Sequence, residues 1–375
     1  MVDFVRPDYR VRLFLSVDLT GSTDFKSRSN QSNLEWLKAF QKFYGEFPSL
    51  FGRHYVDGCD DVPDISAEEK IETPKVWKTI GDEILFVNRV NSIAQLGVYV
   101  TAFSSALKEF GAQVQELHGL NTKGNAWIAA FPSPNSSIRL SQNGTTDPFY
   151  GDHDVLTEEF ELGVDREPNN YDFLGKGIDG GFRISRNSTI DTFTISPALA
   201  YLLCAAKKNV DMTGFDCDFH FHEPQILKGV IGGKPYPIIS IDTNRDAQQK
   251  EIHDLQAVLL QQPPKVEDSE ILKDYLEKYI SYHCIEKPSL KLLASSREVA
   301  APSYYVSYLE QWELEAESVR NAIAAEVEAA SEQTVHPPAS NGTANLLNAI
   351  QAIEQMASAI AKAGKLNNAS DDNED

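Results

Sequence analysis

The sequence predicts an α+β protein, with strands and helices alternating as far as about Thr243 and a helical region after it. Three observations predict this class. Short runs rich in Val, Ile, Leu and Phe recur, as at 11–17 and 126–131. Segments between them repeat apolar residues at i, i+3 and i+4. Beyond residue 245 the apolar runs stop and charged, helix-favouring segments take over.

Residues 11–17 read as a buried strand ended by Asp18. Leu34, Leu37, Phe40, Phe43, Tyr44 and Phe47 follow at helical spacing, with Ser32 or Asn33 as N-cap and the rings as core packing. The acidic stretch 57–74 reads as a loop before the next strand, and 84–87 complete a hairpin about Gly81 and Asp82. Residues 93–110 suit a helix and 126–131 a buried strand. Residues 132–170, dense in Pro, Asn, Ser, Gly and Asp, read as a long insertion. Segments 171–173 and 182–184 frame a glycine-rich turn, and 197–206 is helical. Segments 218–222, 225–230 and 236–241 read as closing strands, the last two joined by Gly232 and Gly233.

Helices are expected over 247–262, 269–282 and 303–330. One domain therefore spans 1–245, with a helical extension over 246–331. A polar linker is expected over 332–342, and an amphipathic helix over 343–364 carrying Leu346, Leu347, Ile350, Ile353, Met356 and Ile360 on one stripe. Residues 365–375 read as a disordered acidic tail.

Composition narrows the function classes. The 375 residues are 42% hydrophobic and 24% charged, as in globular proteins. No stretch approaches the roughly 20 apolar residues of a membrane span. The N-terminus lacks the apolar core of a signal peptide, so cytoplasm is the expected compartment. Four scattered cysteines give no disulfide framework. A net charge of −21 argues against nucleic acid or an anionic membrane as main partner. A triphosphate still fits, because metal ions and a few local cations can neutralise it.

Two aspartates stand out. Asp18 and Asp82 each follow a short apolar run, and Lys78 stands four residues before Asp82. Two strand-end carboxylates can meet in space and hold a pair of divalent ions. Leu19-Thr20-Gly21-Ser22-Thr23 after the first strand suits a turn whose amides face an anion. Together they suggest metal-assisted chemistry on a nucleoside triphosphate.

Three segments carry a resemblance: Val17-Asp18-Leu19-Thr20-Gly21-Ser22-Thr23, Lys78-Thr79-Ile80-Gly81-Asp82, and 171–183 with Asp172, Asp179 and Arg183. In order and spacing they resemble the class III nucleotidyl cyclases, which include adenylate and guanylate cyclases. The resemblance implies a ferredoxin-like βαββαβ core with a mostly antiparallel sheet. It implies that Asp18, Asp82 and the Leu19 carbonyl bind two Mg²⁺ or Mn²⁺ ions, which prefer hard oxygen ligands. It assigns phosphate binding to amides of 19–23, base selection to Lys78 and Asp172, the ribose to Asp179, and transition-state charge to Arg183. Lys228 loosely matches a phosphate-binding lysine. Active sites of the family form between two catalytic domains, so a homodimer with two equivalent sites is implied.

A lysine donates hydrogen bonds and an ionised aspartate accepts them, so adenine, cytosine, uracil and guanine can each satisfy the Lys78–Asp172 pair. Asp179 departs from the usual asparagine of purine cyclases, and Gly180-Gly181-Phe182 from the usual helix start. Trp77, Tyr171 and Phe173 either narrow the pocket or pack the core. In overall pattern the chain is similar to the pyrimidine cyclases of bacterial Pycsar antiphage systems. That likeness implies cyclic UMP or cyclic CMP made on infection and read by a separate effector, with UTP the favoured substrate. The alternatives are CTP, an adenylate cyclase, and an inactive cyclase-like binding or dimerisation module. Cys217, His220 and His222 have metal-like spacing, but alternation on a strand puts Cys217 on the face opposite the two histidines.

Overall fold

A computed structural model describes residues 4–27, 33–62, 65–139, 155–209, 217–259 and 268–335. It divides into two compact units, Phe4–Leu314, and Met1–Asp3 with Glu315–Asp375. In the second unit the described residues 315–335 form one helical stretch.

The first unit opens with β1 (Arg10–Thr20), the short α1 (Ser22–Ser27), α2 (Asn33–Asp61) and α3 (Ala67–Ile71). The hairpin β2 (Val76–Ile80) and β3 (Glu83–Val90) follows, then α4 (Ile93–His118) and β4 (Asn121–Phe131). These strands lie in the order β2-β3-β1-β4, each neighbour antiparallel. With α2 and α4 as the crossovers this is the βαββαβ arrangement expected.

Next come β5 (Ser136–Arg139), α5 (Glu158–Arg166), β6 (Tyr171–Leu174) and α6 (Lys176–Ile184). β7 (Thr192–Ile195), α7 (Pro197–Asn209), β8 (Phe219–Ile226) and β9 (Pro235–Asp242) then extend the sheet by β7-β9-β8, with β7 parallel to β4. The remaining helices are α8 (Ala247–Leu259), α9 (Ser269–Tyr282) and α10 (Ser303–Val335).

Side chains alternate across β1, and this places two cores on opposite faces. Val11, Leu13, Leu15, Val17 and Leu19 enter the larger core with Phe43, Phe47 and Phe51 of α2 and Phe103 and Phe110 of α4. Phe14 enters the smaller core with Trp77, Trp127, Tyr171 and Phe173. Trp77, Tyr171 and Phe173 are thus packing residues, each under 5% exposed.

Several expectations need correction. α2 continues to Asp61 through the acidic stretch, because Tyr55, Cys59 and Val62 stay buried at helical spacing while Asp57 and Asp60 face out. The insertion at 132–170 contains β5, β6's partner, and α5. The glycine-rich turn is α6 itself, entered through Gly175 at φ 138°. Residues 225–230 are no separate strand: β8 runs on from the first segment to Ile226, with a bulge between His222 and Gln225 around Pro224, and 227–230 form the turn after it. Within it His222 Nε2 lies 2.7 Å from Ser240 Oγ.

The first unit also runs past residue 245, because Leu272, Leu276 and Ile280 of α9 enter the larger core. α10 reaches Val335, into the expected linker, through a run rich in Ala and Glu. The expected helix 343–364 and tail 365–375 lie outside the described residues.

α5 is fixed by charge. Arg10 and Arg12, both under 3% exposed, stand on the Phe14 face at the start of β1. Arg10 pairs with Asp165 at 2.8 Å, and Arg12 with Asp165 and Glu161 at 2.6 Å each. Burial alone would lower the Arg12 pKa, but Asp165 and Glu161 outweigh it and hold it above the ordinary value. Asp165→Ala strips a shared partner from two buried guanidinium groups. It is expected to cost about 3–5 kcal/mol in urea unfolding. A loss below about 1 kcal/mol, the range of surface pairs, would show that α5 is not held this way.

Candidate active site

The far end of β1 carries Asp18, two residues before the strand ends rather than at its end. In register, Asp18 stands opposite Glu83 of β3 on one side and Lys123 of β4 on the other. Directly opposed residues share a face, so the three line up across the sheet. Lys123 Nζ lies 2.9 Å from Asp18 Oδ2. Ser16 donates a hydrogen bond to Glu83 from one row back. Burial pushes the Glu83 carboxyl above its usual range, and Asp18 and Asp82 add to the push against Ser16 and Lys123.

Asp82 follows Gly81, whose φ of 64° makes the hairpin turn. Three contacts set this tip against β1 and its neighbours. The Leu19 N–H donates to the Asp82 carbonyl at 3.1 Å, and Ser22 Oγ donates to the Asp82 carboxylate. Tyr44 of α2 donates its hydroxyl to the Gly81 carbonyl. The expected metal pair is therefore brought together within one chain.

The expected anion turn is altered at its first member. The Leu19 amide is spent on Asp82, because β1 runs on to Thr20. Gly21 turns the chain at φ 88°, and its carbonyl accepts from Phe25. Ser22 is buried at the start of α1 and Thr23 is exposed beside it. Among the described residues the buried Thr20 Oγ1 has no hydrogen-bond partner.

A second cluster forms around β2 and β6. Lys78 Nζ lies 2.9 Å from Asp172 Oδ1 and 3.9 Å from the centre of the Trp77 ring. The Phe173 N–H donates to the same Asp172 oxygen at 2.9 Å, and Trp77 Nε1 donates to the Tyr171 carbonyl at 3.0 Å. Asp172 thus keeps Oδ2 for a further donor.

Asp179 and Arg183 lie one turn apart on α6, which crosses β4 on the Phe14 face. Gly181 permits that crossing: a Cβ there would sit 2.1 Å from the Trp127 ring. Among the described residues Arg183 forms no ion pair, and Lys228 stands exposed in the turn after β8. Among the described residues no contact draws either of them to the aspartate pair.

Sequence reasoning missed Lys123, Glu83 and Tyr44. Lys123 falls in the first half of β4, where Asn121, Gly124 and Asn125 mask the strand. Glu83 adjoins Asp82, and only the register reveals that it faces Asp18. Tyr44 sits in an aromatic run that reads as core.

The donor set suits a hard divalent cation. Among the described residues no group of three or more His, Cys, Asp or Glu side chains is placed to hold an ion alone. Asp18 and Asp82 would hold ions jointly with substrate oxygens, the usual mode for Mg²⁺. The residues fit. Among the described residues no helix is long and apolar enough to cross a membrane.

No family model and no curated protein sequence matches the chain. Solved structures do. The adenylyl cyclase CyaB from P. aeruginosa aligns at 11% identity and TM-score 0.41, over 62% of this chain and 94% of that one. The guanylyl cyclase Cya2 aligns at 16% identity and TM-score 0.37, over 64% and 93%. An adenylate/guanylate cyclase/hydrolase from Silicibacter pomeroyi aligns at 14% identity and TM-score 0.34, over 62% and 97%.

Lys123 competes with any cation for Asp18. Removing a unit charge about 4 Å from a divalent ion is worth about 2 kcal/mol in water-like surroundings. Lys123→Gln is expected to tighten Mn²⁺ binding up to about thirtyfold without nucleotide, read by electron paramagnetic resonance of free Mn²⁺. Asp18→Asn should weaken it at least about tenfold. Unchanged Mn²⁺ affinity in Lys123→Gln would remove the competition.

Proposed function

We propose that the protein is a nucleotidyl cyclase of the class III type that converts UTP to 3′,5′-cyclic UMP and pyrophosphate. The observation that carries this reading is the Leu19 N–H to Asp82 C=O bond, which binds the two aspartate segments into one constellation. The Lys78–Asp172 pair supports a base-recognition role elsewhere on the chain.

Asp18 and Asp82 would hold two Mg²⁺ or Mn²⁺ ions. Bound there, the ions supply positive charge that lowers the pKa of the ribose 3′-hydroxyl and neutralises the phosphates. The first-turn amides of α1, from Ser22 onward, orient the phosphate chain, helped by Thr20, Gly21 and Thr23. Lys78 donates to a base carbonyl while the free Asp172 oxygen accepts the base N–H. Asp179 accepts a hydrogen bond from the ribose. The 3′-oxygen attacks the α-phosphorus, the bond to pyrophosphate breaks, and Arg183 stabilises the charge that develops. Lys228 steadies the phosphates.

A homodimer is part of the proposal, with the aspartate pair of one chain facing Lys78, Asp172, Asp179 and Arg183 of the other. UTP is favoured because Asp179 stands where purine cyclases carry an asparagine and the overall pattern resembles that of the Pycsar enzymes. The product would serve as a second messenger in antiphage defence, read by a separate effector. CTP is the nearest alternative substrate, and ATP the next.

The decisive experiment supplies Mn²⁺ and each of the four triphosphates separately, with products identified by mass spectrometry. Cyclic UMP should dominate. Dominant cyclic AMP would overturn the pyrimidine assignment, and no cyclic product at all would overturn the cyclase. Asp18→Ala and Arg183→Ala should each lower turnover at least about a hundredfold, the usual cost of losing one transition-state contact. Mixing these two inactive variants should restore activity through heterodimers holding one intact site. Continued inactivity of the folded mixture would place all the residues of a site in one chain.

A further inference from the structure

Behind α6, within the Phe4–Leu314 unit, lies a cavity of about 260 Å³. Its walls come from distant parts of the chain: Asn135 after β4, Gly180 of α6, Ile231 in the turn before β9, Tyr236 of β9, and the segment 283–288 after α9. None of Asp18, Asp82, Lys78, Asp172, Asp179 and Arg183 lines it. The segment after α9 belongs to the C-terminal extension, for which the sequence suggested no role.

Three features separate this cavity from a packing fault. A Cβ on Gly180 would meet nothing within 4 Å, whereas one on Gly181 would strike Trp127. The helix therefore closes onto β4 at one glycine and leaves space at the next. Tyr236 is only 8% exposed and turns part of its surface to this space. Among the described residues only Ile231 at φ 41° and Cys284 at φ 50° are non-glycine residues with positive φ, and both stand on this wall. Positive φ at a β-branched residue is a true outlier, and such strain clusters where ligands are clamped.

We propose that this cavity binds a compact organic anion with a flat apolar body and one carboxylate. Val230, Ile231, Ile285 and Pro288 suit the apolar body. Its polar lining includes Tyr236, Ser196, Asn135, His283 and the exposed Lys176, with Glu286 the one acid. Among the described residues Lys176 has no ion-pair partner, so its charge is available to the carboxylate. The volume falls just below the roughly 300–1,000 Å³ of drug-sized pockets, which limits the ligand to about two fused rings. The occupant would touch α6, the helix that bears Asp179 and Arg183. The site itself does not depend on the cyclase reading.

The test uses the full chain with 2-naphthoate as probe and 2-naphthalenemethanol as its neutral counterpart. Calorimetry should show saturable 2-naphthoate binding with Kd below about 1 mM, and the alcohol should bind at least about tenfold more weakly. Cys284 is exposed while Cys59, Cys204 and Cys217 are buried, so its alkylation by iodoacetamide reports on the wall. Saturating 2-naphthoate should slow that alkylation at least about fivefold. Lys176→Gln should erase the preference for the acid, and Gly180→Leu should abolish binding by filling the space. If Gly180→Leu fails to fold, Lys176→Gln and Cys284 protection decide the matter. No saturable binding, equal affinity for acid and alcohol, or binding that leaves Cys284 alkylation unchanged would each overturn the site.

Discussion

The antiparallel register of β1 between β3 and β4 is the constraint on which the rest of the structure depends. β1 is paired on both sides, so no residue of it can slip without moving every side chain to the other face. Its odd-numbered residues from Val11 to Leu19 fill the larger core. Its even-numbered residues then have no choice but the opposite face, where Arg10 and Arg12 occupy one end, Phe14 the middle and Asp18 the other end. Apolar packing on one side of the strand thereby decides where the carboxylate stands on the other. The same register sets Glu83 and Lys123 beside it without any direct selection for their contact.

That row has an electrostatic logic. Asp18, Asp82 and Glu83 crowd three acids at one sheet end, where burial raises the Glu83 carboxyl and the two aspartates add to the push. Lys123 and the hydroxyls of Ser16 and Ser22 relieve part of this within the chain. A divalent ion would relieve it more fully, since two unit charges at one point exceed what one lysine supplies.

Legibility in the sequence followed burial. β1, β3, α4, α7 and α9 were readable because each presents a sustained apolar run or period to a core, and β2 was readable through the Gly81 turn to β3. Reading failed where polar residues sit in regular structure. The first half of β4 carries Asn121, Lys123 and Asn125, and Pro224 splits β8 by eye although a bulge accommodates it. α5 was hidden because only Val164 and the half-buried Phe160 reach the smaller core from it, and ion pairs to Arg10 and Arg12 complete its anchorage to β1. For the site, Asp18, Asp82, Lys78 and Asp172 were legible by motif, and their pairings were not. Only three-dimensional register shows that Lys123 meets Asp18, and only the fold shows that Trp77, Tyr171 and Phe173 are core rather than pocket wall.

The C-terminal segments lose their appearance as an appendage once their hydrogen bonds are followed. The carbonyls of Lys291 and Leu292 accept the amides of Ile93 and Ala94 at the start of α4, which no residue within that helix could satisfy. Tyr305 donates to the Pro7 carbonyl just before β1, and Trp312 Nε1 to the Leu156 carbonyl just before α5. The chain after α9 therefore caps the helix that backs β1 and fastens the segments leading into β1 and α5. Cutting the protein at residue 245 would expose the faces of α7 and β8 that α9 covers and leave those polar groups unpaired. The composition change near that residue marks a change from sheet to helix within one compact unit, Phe4–Leu314.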